Sequence, residues 1–161
     1  MVGVRRGARS VMKWLSALYV LLIIVQVFLA GAGIFGINSI TNSDDCDKRG
    51  VDAAHLPQCY GNSKTLDPHR GLGFFLTGPG AILFFIVALL AWHPTTRTRI
   101  VSIALPFLLV IQMILPGFNR WIAALHPVNA MLLLGLFIWL TYTLRREQPA
   151  APSAPEPIAT G

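Results

Sequence analysis

The chain has 161 residues, of which 54% are hydrophobic and only 12% charged. A soluble domain carries about a quarter charged residues, so composition excludes an ordinary water-soluble globule. The formal net charge of +6 clusters beside apolar runs, which marks membrane topology rather than a nucleic-acid footprint.

Residues 1–13 form a basic N-terminus with Arg5, Arg6, Arg9 and Lys13. Four uncharged runs follow: 14–36, 71–92, 100–119 and 121–144. Each is close to the roughly 20 residues that cross a hydrocarbon core of about 30 Å at 1.5 Å per residue. Continuous apolar runs exclude the alternating pattern of a barrel, and helices are the other structure that satisfies its backbone in lipid. The expected fold is an all-α membrane protein, a four-transmembrane-helix bundle over 14–144. The stretch "VRRGARS" before the first run also fits a secretion signal, but that run exceeds the usual apolar region of about 7–15 residues. A retained helix is the reading that the repeat described below requires.

Lys and Arg placement sets the expected orientation. The N-terminus, the turn holding Arg97 and Arg99, and the flank holding Arg145 and Arg146 share one side. The other side holds the loop 37–68, where five aspartates face Lys48, Arg49 and Lys64, and a short turn with Arg120. Both termini are therefore expected in the cytoplasm of a multi-pass protein of the plasma (inner) membrane. Trp14, Trp92, Trp121 and Trp139 fall near run ends, as interfacial aromatics do.

Cys46 and Cys59, the only cysteines, lie in the outward loop. An even pair in an extracytoplasmic loop reads as a disulfide staple, stabilising the loop by roughly 3 kcal/mol in the chain-entropy picture. The tail, 145–161, is rich in Pro and Ala and is expected to be disordered.

A short repeat links the first and third runs. "VQVFLAG" (25–31) and "IQMILPG" (111–117) both read Gln-x-x-Leu-x-Gly, at Gln26, Leu29, Gly31 and at Gln112, Leu115, Gly117. Each leads through an outward loop to a helix that opens on a histidine, His69 in "DPHRGLG" and His126 in "ALHPVNA". Two parallel helix-pair repeats related by an axis along the membrane normal would set the two histidines at matching ends of matching helices. Facing side chains inside a four-helix bundle commonly build cofactor sites, and two neutral imidazoles on either face of a flat ring suit haem iron. Asp67 as N-cap with Pro68 at the first position starts the His69 helix. Arg70 and Arg120, at the outward interface, suit porphyrin carboxylates. Gly31, Gly71, Gly73 and Gly117 leave space for a ring, Pro127 frees a carbonyl and sets the angle of His126, and Gln26, Gln112 and Asn129 orient imidazoles.

Each feature has a plainer counterpart. Glutamines tie helices together in many bundles, arginines meet lipid phosphates, small residues serve close packing, and "TGPG" at 77–80 is a kink. His55, in the outer loop, and His93, beside Pro94 on the opposite face, are expected to be solvated. Zinc held by His69 and His126 alone would lack its usual three or four protein ligands.

The order of these motifs resembles one four-helix half of haem A synthase. It also resembles a group of small four-span bacterial membrane proteins of uncharacterised function that carry "DPHR" and "LHPVN". The first resemblance implies haem b ligated by His69 and His126, and matches Cys46 and Cys59 to loop cysteines of some members. This chain supplies one half, Pro116 stands where that family's second motif has a small residue, and no carboxylate lies in or near the first run. The haem site is therefore implied and the synthase activity is not. The expected function is a bis-histidine b-type haem protein that transfers electrons or senses redox state, exchanging with quinone or another membrane redox protein and having no independent catalytic activity. The alternative is a cofactor-free structural or accessory subunit. A transporter lacks its usual acidic carrier within the spans.

Overall fold

The computed structural model describes residues 2–41 and 64–147, with side chains from 3–35, 65–119 and 121–147. Among these residues the chain is helical, with no strand. α1 runs from Val2 to Thr41 without a break. A 3-10 turn, Lys64–Leu66, leads into α2 (Asp67–Thr77), α3 (Pro79–Ala91) and α4 (Thr96–Ile114). A second 3-10 turn, Leu115–Gly117, and the single turn α5 (Arg120–Ala123) precede α6 (Leu125–Arg146).

Four stretches are long and apolar enough to cross a membrane: Gly3–Phe35, Asp67–Ala91, Thr96–Gly117 and Trp121–Arg146. The chain thus reads as a multi-pass membrane protein, as its composition predicts. The basic residues of 2–13 are the opening turns of α1 rather than a separate segment. Forty residues at about 1.5 Å each make α1 a rod of roughly 60 Å, about twice the hydrocarbon thickness. Cys46, Cys59, His55 and the tail beyond 147 lie outside the described residues.

The spans pack in a ring: α1 against α3 and α6, α3 against α4, and α4 against α6. The second and fourth spans therefore stand diagonally across the bundle. Outward faces stay apolar, with Phe28 72%, Phe35 77% and Trp121 74% exposed. In water such a surface would associate; here lipid covers it. Helix association in lipid rests on packing and interhelical hydrogen bonds, because tails are as apolar as leucine.

Both terms are visible in the core. Tyr19 of α1 stacks on Phe137 of α6, centroids 4.7 Å apart at 7°, and meets Phe84 of α3 edge-on at 5.4 Å. Phe84 and Phe137 close the triangle at 5.2 Å and 85°. Each such pair contributes about 0.5–1.5 kcal/mol beyond area burial. Thr141, whose hydroxyl also reaches Phe137 O at 2.8 Å, donates to the buried Ser16 Oγ at 3.1 Å and ties α6 to α1 with a half-buried polar clasp.

The second span is broken at Gly78, as "TGPG" predicts. Pro79 has no N–H, so the helical ladder is interrupted there. Gly78 N–H still closes α2 on Phe74 O at 2.9 Å. Leu76 O, one turn before the restart, accepts the buried hydroxyl of Tyr19 at 3.1 Å. Gly80 is required by this contact, since a Cβ there would meet Tyr19 Oη at 2.6 Å and Phe75 O at 2.9 Å. In the third span Pro106 sits inside α4 and leaves the Ser102 carbonyl without its usual donor.

Candidate functional site

His69 and His126 each open a helix and each is tied to the preceding span. His69 lies in the first turn of α2, and its Nδ1 stands 3.1 Å from the backbone oxygen of Gln26 in α1. In return the Gln26 amide donates to His69 O at 2.6 Å. His126 lies in the first turn of α6, with Nδ1 3.0 Å from the backbone oxygen of Gln112 in α4. The same bond thus recurs at both histidines, from imidazole to the backbone of the motif glutamine.

This bond fixes the tautomer. A carbonyl oxygen only accepts, so Nδ1 carries the proton in both rings and Nε2 presents a lone pair. For His69 that lone pair has no hydrogen-bond partner among the described residues. For His126 it accepts from the Gln112 amide at 3.1 Å. Asn129, buried one turn further along α6, donates to Leu108 O at 3.1 Å and to Gln112 Oε1 at 2.8 Å, which holds that amide in place. On the other side Gln26 Oε1 is buried without a hydrogen-bond partner among the described residues.

The two rings meet across the diagonal of the bundle, centroids 6.3 Å apart and planes at 72°. Among the described residues no third His, Cys, Asp or Glu joins them. Gly73 makes room for the first clasp, because a Cβ would come within 2.7 Å of Gln26 Nε2 and displace that amide. Gly31, Gly71 and Gly117 face open space instead.

The remaining expected residues divide. Arg70 is exposed and lies 3.7 Å from Asp67, a loose pair one turn apart. The side chain of Arg120 lies outside the described ones. Asp67 is not the N-cap: the 3-10 turn carries the chain into the helix early, so Leu66 takes that position and no side chain caps it. Pro127 falls in the first turn of α6, where its missing N–H would otherwise bond Ala123 O, and the break between α5 and α6 lies there at Ala124. No known protein family, curated protein or solved structure was found to match the chain.

A second polar cluster occupies the other end of the bundle, and sequence reasoning missed it. His93, expected in solvent, is 1% exposed. Among the described residues neither ring nitrogen has a hydrogen-bond partner, and Glu147 Oε2 stands 3.7 Å from Nδ1, beyond hydrogen-bonding distance. Burial pushes the pKa of His93 below its ordinary value and the nearby Arg9 charge adds to this, while Glu147 opposes both. Around it the chain is tightly bonded. Arg9 donates to Ala91 O and Trp92 O, both at 3.0 Å, capping α3. Arg99 donates to His93 O at 3.2 Å and lies over the Trp92 ring at 4.6 Å. Trp92 holds a left-handed φ of 32°, a strained conformation for a bulky residue. Only burial, which an adjacent Pro94 does not announce, would have revealed this cluster.

Proposed function

We propose that the chain is an integral membrane b-type haem protein whose iron is ligated by His69 and His126. The observation that carries this reading is the paired Nδ1 bond to the backbone of Gln26 and Gln112. Donation of the distal N–H to a carbonyl is how proteins orient an imidazole and raise its basicity for metal ligation through Nε2. The spacing agrees. Two imidazoles ligating one iron at about 2 Å from opposite faces stand roughly 6 Å apart between centroids, against 6.3 Å here. Recurrence of the bond also supports two parallel helix-pair repeats within the bundle.

The chain's own residues would hold the group as follows. His69 offers an unpartnered Nε2, and Gln26 locks the first turn of α2 in place. His126 offers its Nε2 once the Gln112 amide, a flexible side-chain end, swings aside. Open space beside Gly31, Gly71 and Gly117 leaves room for a flat ring edge. A haem held by His69 and His126 would supply one-electron chemistry rather than oxygen chemistry. Positive-inside placement of Arg5, Arg6, Arg9, Arg97, Arg99, Arg145 and Arg146 supports cytoplasmic termini and an outward haem in the plasma membrane, within reach of quinone or another redox protein.

One observation favours the cofactor-free alternative, a structural or accessory subunit: the Gln112 and Asn129 network already satisfies His126 Nε2. The visible spectrum of the detergent-purified protein decides between them. A Soret band that sharpens on dithionite reduction, and is lost in a His69→Ala, His126→Ala double variant, is expected. A protein that stays colourless after added haemin overturns the haem reading and leaves the structural one.

A further inference from the structure

At the end of the bundle opposite the two histidines, a cavity of about 710 Å³ opens between α1, the turn after α3 and the end of α6. That volume is within the usual range for small ligands, about 300–1,000 Å³. Arg5, Arg6, Arg9 and Lys13 all line it. At 3.6 residues per turn these four positions fall within an arc of about 100° on α1. Topology alone asks for positive charge on one side of the membrane; it does not ask for convergence on one cavity. Like charges one turn apart on a helix destabilise each other, and among the described residues Glu147 is the one carboxylate lining the cavity.

His93 supplies the independent observation. It lines the same cavity, is 1% exposed and has neither ring nitrogen hydrogen-bonded among the described residues. A buried polar group without a partner costs free energy that a bound ligand recovers. A neutral imidazole has one N–H to offer such a ligand, and guanidinium forks match phosphate oxygens geometrically. Arg9 is already fixed on the carbonyls of Ala91 and Trp92, so it frames the cavity while Arg5, Arg6 and Lys13, the last now over the Trp14 ring at 5.2 Å, can turn to engage an anion. Several cations from one face of α1, opposite one N–H donor from the turn after α3, suit a compact group with two charges and three terminal oxygens.

We propose that this cavity binds a dianionic phosphate monoester, carried either on a lipid headgroup or on a small soluble molecule, through Arg5, Arg6, Lys13 and His93. The site stands on its own residues and is independent of haem.

Calorimetric titration of the full-length protein in neutral detergent tests it with three probes: glycerol 1-phosphate, dioleoyl phosphatidic acid, and dioleoyl phosphatidylglycerol as the diester comparison. One monoester per chain is expected. Binding of phosphatidic acid alone assigns the lipid source; binding of glycerol 1-phosphate as well assigns the soluble one. An Arg5→Gln, Lys13→Gln double variant, with an unchanged unfolding midpoint, should bind at least about ten-fold more weakly through the loss of two charge-assisted contacts. Glu147→Gln should bind more tightly, because it removes a repelling charge while keeping an acceptor for Thr98, which accepts from Thr95 at 2.6 Å and donates to Glu147 at 3.3 Å. A structural role for Glu147 would not produce that gain. Absence of monoester binding, equal affinity for the diester, or affinities indifferent to these substitutions overturns the proposal.

Discussion

Replacing Tyr19 with Phe removes one oxygen atom at the break of the second span. The hydroxyl donates to Leu76 O at 3.1 Å inside the bundle, and Tyr19 is only 2% exposed. Interhelical hydrogen bonds in membrane proteins average about 0.6 kcal/mol and reach about 1.7, because the alternative state usually finds another partner. Leu76 is buried beside the break that Pro79 makes in the ladder. Removing the hydroxyl takes away the one donor that a neighbouring span offers its carbonyl among the described residues. Tyr19→Phe should therefore cost about 1.5 kcal/mol, near the top of the membrane range. The aromatic triangle with Phe84 and Phe137 survives that change, so Tyr19→Leu should cost about 1 kcal/mol more through two lost ring contacts. Reversible unfolding in mixed micelles, followed by far-ultraviolet circular dichroism, reads both values. A Phe variant within about 0.3 kcal/mol of wild type, below the average for such bonds, would show that the break needs no donor from α1 and refute this account. A second comparison bears on the same contact. Gly80→Ala should cost less in the Phe background than in wild type, because the Tyr19 Oη contact at 2.6 Å is gone while the Phe75 O contact remains.

Gly73→Ala should push the Gln26 amide off His69 O and lower haemin affinity without unfolding the bundle; spectral titration of wild type and variant, with circular dichroism as the control, checks this. Stability should also depend on pH through His93. Its folded pKa lies below the ordinary value of 6.5 because of burial. As pH falls the unfolded chain takes up the proton first, so the contribution is complete above about pH 6.5 and is lost as pH drops through the folded pKa. His93→Gln should flatten that part of the unfolding profile, and an unchanged slope would mean that burial does not hold the ring neutral. Thr141→Ala should cost about 0.6 kcal/mol, the typical value for an interhelical bond, read from the same denaturation curves.

The spans were legible because lipid imposes a crude rule, about twenty apolar residues per crossing, and all four runs obey it. Helix ends were less so. Residues 2–13 continue α1 because no proline precedes Trp14 and the helix tolerates Gly3 and Gly7, so charge composition marked a boundary that the backbone ignores. The two histidines were legible as a pair from the glutamine motif and alternating topology. What the pattern could not give is that the backbone oxygens of Gln26 and Gln112, rather than their amides, take the imidazole protons. Backbone acceptors leave no trace in sequence. His93 was misjudged for a related reason: beside Pro94 in a short turn it looks exposed, and its burial depends on Arg9 and Glu147, distant in the chain.

The length of α1 has a mechanical consequence. One rod carries Arg9 at one end and Gln26 towards the other, with Tyr19 wedged in the aromatic triangle between them. A tilt about Tyr19 works as a see-saw with arms of ten and seven residues, roughly 15 Å and 10 Å. Displacing Gln26 by 1 Å would swing Arg9 the opposite way by roughly 1.4 Å. Because Arg9 grips the carbonyls after α3 and Gln26 grips the start of α2, strain applied at one membrane face is felt at the other through a single helix.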